Sequence, residues 1–270
     1  MDDELLTGGL ANAGAVLRRG TVVERPAGPN ARARRGFLRA LRAGGFAGAP
    51  LPVGEPAGGR EQLEFLPGDV AVLPYPAWAL GEEALVSVGR LLRRWHDASA
   101  RTPFDQDACW SRELADPEGG SMLCHNDVCV ENVVFRSGAA AALIDFDLAA
   151  PGRPVWDVAM TARYWLPALD PTTAAETARA HLRVPHRLRL FADAYGLSPA
   201  DRTALPTVLA RATAVCRAFV ARRLAAAEPA FVAYFDASGG WARWDRLGVL
   251  DLRPTPPAGA RVEVLTDPPE

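Results

Sequence analysis

The stretch HNDVCVENVVFRSGAAAALIDFD, residues 125–147, decides how the rest of the chain is read. Val133, Val134 and Phe135 make a short β-branched and aromatic run, Ser137-Gly138 is a turn signal, and Ala140 to Ile144 is a second apolar run. The pattern predicts a tight hairpin with Asn132 just before its first strand and Asp145 just after its second. Those two residues then meet at one end of the ladder, and Asp127 lies a few residues upstream of Asn132. Hard divalent cations prefer carboxylate and amide oxygens at such a convergence. Phosphoryl transfer needs little covalent help from protein, only a carboxylate to orient and deprotonate a hydroxyl, and oxygen ligands for the magnesium on a nucleotide. Asp127 is the candidate base, and Asn132 and Asp145 are the candidate metal ligands. Asp147 reads equally as a supporting partner of that metal or as a residue closing a turn. Each of these alone is an ordinary turn residue; the ordered set with both strands carries the signal.

His125, Asp127, Asn132 and the Ile144-Asp145-Phe146-Asp147 run resemble the catalytic loop and metal-binding segment of the aminoglycoside phosphotransferase and choline kinase group, which shares the protein-kinase-like fold. The match continues through residues 151–159, where the family has an Asp that braces the catalytic loop from a helix start; here that is Asp157. Upstream it thins, through Gly8-Gly9, Val22-Val23-Glu24-Arg25 and Phe65-Leu66-Pro67-Gly68-Asp69. The resemblance covers about the first 165 residues. It implies an α+β, two-lobed protein, with a small β-rich nucleotide-binding lobe over residues 1–67 and a larger, mainly helical lobe over 68–270 carrying the catalytic loop and substrate pocket. It implies in-line transfer of the γ-phosphoryl group of ATP or GTP, with Mg2+, to a small-molecule hydroxyl. In that scheme Gly8 and Gly9 let the backbone approach the phosphates, and Glu64, Phe65 and Leu66 form a hinge whose backbone reads the base. His125 packs and hydrogen-bonds rather than reacts.

The chain contains no lysine, so its 30 basic residues are all arginines. Any cation at the nucleotide is therefore a planar fork that stays charged and binds phosphate bidentately. Val22 and Glu24 alternate with Val23 and Arg25 along a strand, so one pair alone faces the nucleotide; Arg25 is the candidate phosphate cation. The helix that follows contains no Asp or Glu between Ala31 and Leu41, which leaves the cation without an evident anchor. A second reading follows from that gap: a pseudokinase that binds nucleotide without transferring phosphate.

A length of 270 residues and 49% hydrophobic content suit a two-lobed protein with a substantial core. The net charge of -2 gives no basic footprint for nucleic acid or an anionic membrane. The segment MDDELLTGG lacks the apolar core of a leader, and no stretch reads as long enough to cross a bilayer, so a cytoplasmic location is expected. Cys109, Cys124, Cys129 and Cys216 have neither zinc-site spacing nor the density of a disulfide framework.

Farther along, Leu85, Val88, Leu92 and Trp95 fall on one face of a helix predicted over Glu82 to Ala98, and His96 beside them reads as a packed residue. Ser198-Pro199-x-Asp201 is a helix start with a capping side chain and an early proline. Residues after Arg253 read as a loosely attached terminus. Beyond Pro151 the acids are scattered singly, whereas Phe231, Tyr234, Phe235, Trp241 and Trp244 gather near the helical end. That balance predicts a neutral or singly charged hydroxylated acceptor rather than a polycation.

Overall fold

The computed structural model describes residues 4–6, 14–166 and 181–246. Gly8 and Gly9 of the predicted phosphate loop, and the terminus after Arg253, lie outside the described residues.

The first part of the chain builds an antiparallel sheet in the order β1-β2-β3-β5-β4, from β1 (Glu4–Leu5), β2 (Leu17–Arg19), β3 (Val22–Pro26), β4 (Pro52–Ala57) and β5 (Arg60–Glu64). β3 pairs with β5 so that Arg25 lies opposite Glu61. Helix α1 (Ala31–Ala43) joins β3 to β4 and buries Phe37, Leu38 and Leu41. The Phe37 ring packs edge-on against Trp95, Phe104 and Trp110, so α1 and the helices downstream share one continuous core.

Pro67-Gly68 leads from that sheet into β6 (Asp69–Val70). Here glycine is required, because Gly68 has φ +148 and a Cβ would meet Phe135 O at 2.4 Å. β6 pairs with β8 (Val133–Arg136), which pairs with β9 (Ala139–Leu143). The β8–β9 hairpin is the one predicted. Its Ser137 and Gly138 both have positive φ, 51° and 78°, the geometry of a two-residue turn whose twist matches that of the strands. β7 (Met122–Cys124) and β10 (Ala150–Gly152) form a second short ladder that flanks this segment.

The rest is helical: α2 (Ala77–Leu80), α3 (Glu82–Ser99), α4 (Pro154–Trp165), α5 (Val184–Tyr195), α6 (Pro199–Ala225), α7 (Pro229–Ala237) and α8 (Gly240–Arg246). α3 is the central helix. Leu85, Val88, Leu92 and Trp95 are fully buried, each contributing about 1.5–3 kcal/mol through removal of apolar surface from water. α6 begins as its sequence predicts, with Ser198 Oγ accepting from the Asp201 backbone N–H at 3.1 Å.

One expectation is corrected by α6. This helix has 27 residues and includes a stretch with mean hydropathy 1.4, which is long and apolar enough to cross a bilayer by length and composition. The separate proline and charge signals at its start obscured that content. In the fold it packs beside α4 through Leu205, Val208, Leu209, Ala212 and Cys216, while most of its other residues stay at least partly exposed. The aromatic group near the chain's helical end also packs: Phe231 against Phe219, Phe235 against Trp241, and Trp241 against Trp244.

Candidate active site

The β8–β9 hairpin brings its two ends together as the sequence requires. Ile144 N–H donates to Asn132 O at 3.0 Å, so Asn132 and Asp145 flank the same end of the ladder. Asn132 sits in a short 3-10 turn, Val130–Asn132, and its side-chain amide donates to Asp127 twice, to the backbone oxygen at 2.9 Å and to Oδ2 at 3.1 Å. With Nδ2 committed to Asp127, Oδ1 is the atom Asn132 can offer to a cation. Asp145 has φ 62° and Asn126 φ 66°. Non-glycine residues held in the left-handed region concentrate at functional segments, where surrounding contacts impose the cost.

Asp127 is half-buried. Burial pushes its carboxyl up to about 7; a hydrogen bond from Tyr164 works against the rise, and the charges of Asp145 and Glu131 add to it. The Tyr164 hydroxyl donates to Asp127 Oδ1 at 2.8 Å, and burial holds that phenol well above its usual range, so it stays a donor. Asp127 is thus gripped on one oxygen by Tyr164 from α4 and on the other by Asn132. Sequence reasoning missed Tyr164: it lies far from Asp127 in the chain, and nothing local marks it as other than core.

The loop is held from behind by Asp157, a fully buried carboxylate in the first turn of α4. It accepts from the backbone N–H groups of His125 at 2.7 Å and Asn126 at 2.8 Å, and from His96 Nε2 at 3.0 Å. Burial opposes its charge, but the His96 hydrogen bond and the two histidines outweigh that and keep the carboxyl below its usual range. His96 in turn reaches Tyr195 Oη through Nδ1 at 2.6 Å. His125 hydrogen-bonds Ile144 O at 3.0 Å and stacks against Phe146 at 4.5 Å between centroids. Burial lowers its pKa, which keeps the imidazole neutral.

On the other side of the hairpin lies a cluster of opposed charges. Arg25 donates to Glu61 Oε1 and Asp145 Oδ1, both at 3.0 Å, and to Asp147 Oδ1 at 2.5 Å. Arg34 from α1 donates to Glu61 and Asp147 as well, and Asn30 holds the Asp147 backbone oxygen at 2.8 Å. Burial opposes the charge of Arg25, but Asp145, Asp147 and Glu61 more than offset it and raise its pKa; Arg34 is pushed down by burial and then by Arg25. The missing anchor for Arg25 is therefore present, as Glu61. It comes from the neighbouring strand, and α1 contributes a cation where an acid was sought. Seeing this from sequence required the β3–β5 register, in which Arg25 faces Glu61 across non-consecutive strands.

The hinge candidates have separate roles. The Glu64 side chain pairs with Arg42 at 2.7 Å and accepts from Leu51 N–H at 3.2 Å, Phe65 lies under the Arg18 guanidinium at 3.8 Å, and Leu66 is buried in a small apolar cluster with Val134, Ala142 and Ile144. Their side chains are thus committed within the protein, and the backbone N–H groups of Glu64 and Phe65 donate to Leu51 O and Thr21 O, both at 2.8 Å.

Comparison with known proteins places this arrangement. Residues 101–191, which span Asp127, Asn132, Asp145 and Asp157, match the model of the phosphotransferase enzyme family. Over 212 residues the chain is 38% identical to the trifolitoxin immunity protein of Rhizobium leguminosarum bv. trifolii, covering 75% of this chain and 77% of that protein. Among solved structures it is similar in fold to a choline/ethanolamine kinase family protein from Mesorhizobium loti (TM-score 0.61, 19% identity, 92% of this chain and 88% of that one). It is also similar to the streptomycin–ATP ternary complex of APH(2'')-IIa (TM-score 0.52, 11% identity, 79% and 82%). The fold is the α+β, kinase-like one, with a small antiparallel sheet ahead of a helical part. The chain belongs to the phosphotransferase enzyme family.

Proposed function

We propose that this enzyme transfers the γ-phosphoryl group of ATP or GTP in line to a hydroxyl of a small molecule, with residues 1–67 forming the nucleotide lobe and 68–270 the catalytic and acceptor lobe. The observation that carries this reading is the grip on Asp127. Its two oxygens are held by Tyr164 and Asn132, and the Asn132 backbone oxygen accepts from the N–H of Ile144, the residue before Asp145. Asp127 orients the acceptor hydroxyl and takes its proton, and a carboxyl raised to about 7 is a stronger base than an ordinary aspartate near neutral pH. Arg25 supplies charge to the nucleotide phosphates, and Asp157 keeps the loop backbone in place.

Magnesium fits the donor set. Asn132, Asp145 and Asp147 offer hard oxygens, and the three carboxylates Glu61, Asp145 and Asp147 exceed the two guanidiniums packed against them. Asn132 and Asp145 would hold the ion, with Asp147 supporting, and the ion would neutralise charge on the transferring phosphates. The nucleotide-binding pseudokinase reading rested on an unanchored Arg25, and Glu61 removes that ground. The immunity role named for the Rhizobium relative supports a toxic or antibiotic-like compound as acceptor over a general metabolite.

The test is nucleotide consumption against a panel of alcohols, with Asp127→Asn as the control. Turnover by the wild type that the variant loses is the expected outcome; full turnover by the variant would remove Asp127 from the mechanism. In parallel, nucleotide at one hundred times its dissociation constant should stabilise the fold by about 2.7 kcal/mol with magnesium present and far less with a chelator. Equal melting shifts in the two conditions would rule out the metal.

A further inference from the structure

Arg163 is the cation that this site leaves without a carboxylate. It precedes Tyr164 in the last turn of α4, and its guanidinium lies 5.5 Å from the Tyr164 ring, whose hydroxyl touches Asp127. Its Nη1 donates to Cys216 Sγ at 2.7 Å. Burial raises the pKa of that thiol, so the partner is neutral and a weak acceptor. Among the described residues no carboxylate approaches Arg163 within 4.0 Å. Other arginines of this region are paired: Arg153 with Asp116 and Glu118, Arg211 with Glu118, Arg217 with Asp245, and Arg222 with Glu113. Burial opposes the charge of Arg163, but Cys216, Tyr164 and Asp127 more than offset it, and its planar fork, shaped for two oxygens of one group, has no carboxylate in it.

Arg25 and Arg34 lie with Asp145 and Asp147, on the nucleotide side of the proposed site. Arg163 adjoins Tyr164, which holds Asp127 Oδ1, and lies near enough for the Asp127 charge to favour its own. Glu131, the acid nearest Asp127 in sequence, accepts from Tyr75 Oη at 2.5 Å. We propose that Arg163 is the acceptor-recognition residue of this enzyme, and that it selects hydroxylated acceptors bearing an anionic group, a carboxylate or a phosphate, while disfavouring polycations. The proposal rests on the phosphotransferase reading of Asp127, and it sharpens the sequence-based expectation of a neutral or singly charged acceptor by giving that charge a sign.

Binding is measured by calorimetry on the full chain loaded with ADP and magnesium, using matched pairs that differ in the anionic group. γ-Hydroxybutyrate against butanediol tests a carboxylate, β-glycerophosphate against glycerol tests a phosphate, and kanamycin stands for polycations. In the wild type the anionic member of at least one pair should bind about tenfold or more tighter than its neutral partner, the range a hydrogen-bonded charge supports. Arg163→Met should erase that preference and leave ADP affinity unchanged. Arg163→Lys, which keeps the charge and loses the fork, should retain a part of it; this variant decides the matter if the methionine variant fails to fold. The proposal is overturned if neither pair shows a preference, if the preference survives intact in either variant, or if kanamycin binds tighter than every anion. Because the readout needs no turnover, its failure is separate from failure of the alcohol panel, which tests the phosphotransferase reading itself.

Discussion

Glu61 and Asp157 are both fully buried carboxylates within reach of the candidate site, and they are held by opposite means. Asp157 divides its acceptance among two backbone N–H groups and a histidine. Glu61 takes two guanidiniums on Oε1, while its Oε2 has no hydrogen-bond partner among the described residues. The first is a saturated bracket for a loop whose shape has to persist. The second is lopsided and shares its arginines with Asp145 and Asp147, so those cations have more than one anion to choose from. A site that must admit a charged nucleotide is better served by the second arrangement on that side, and by the first under its base.

The largest effect that would sharpen this contrast is on chemistry. Asp127→Asn should lower kcat about 10²–10⁴-fold with nucleotide affinity little changed, measured in steady-state assays. Next come the two brackets. Glu61→Ala strips the anion from two buried arginines and should destabilise the fold by about 3–5 kcal/mol in urea titrations. Asp157→Asn keeps the shape but loses the charged acceptor, and should cost about 1–3 kcal/mol. An Asp157 variant more damaging than the Glu61 variant would reverse the assignment of rigid and exchangeable sides.

A third test is pH. The folded pKa of Asp127 is raised, so its contribution to stability is full below the unfolded value near 3.8 and is lost as pH climbs through about 7. Asp157 is shifted down, so its contribution is present above 3.8 and is lost as pH falls through its lower folded value. Relative to wild type, Asp127→Asn should therefore gain melting temperature between pH 4 and 7, while the deficit of Asp157→Asn should shrink only in stronger acid. On the kinetic side, kcat/KM should rise with pH through about 7 as the base ionises. The smallest expected effect serves as a baseline: Arg93→Ala breaks an exposed i,i+4 pair with Asp97 and should change stability by only about 0.3–0.5 kcal/mol.

Local chemistry made much of this legible. The hairpin from Val133 to Leu143, the inward face of α3 and the Ser198 cap each follow from periodicity or turn residues a few positions apart, and the placement of Asn132 beside Asp145 follows from the hairpin. What stayed hidden depends on distant pairing. Glu61 becomes the partner of Arg25 only through the β3–β5 register, and Tyr164 reaches Asp127 only because α4 docks behind the loop. The apolar length of α6 is present in the sequence, but Ser198, Pro199 and Asp201 mark only where that helix begins. Arg163 looked like one arginine among many until the pairing of its neighbours set it apart.

The proposed phosphate-binding position is occupied by arginine, and the chain contains no ε-amine at all. Acylating nucleotide analogues, which mark a nucleotide pocket by forming an amide with a lysine, therefore have no side-chain target here. Cys129, two residues beyond the base, offers little substitute, because burial holds its thiol well above the usual range and starves it of thiolate. Arg25 itself, buried and held by Glu61, Asp145 and Asp147, is shielded from reagents that condense with guanidinium, so this pocket presents no ready nucleophile for a covalent reporter.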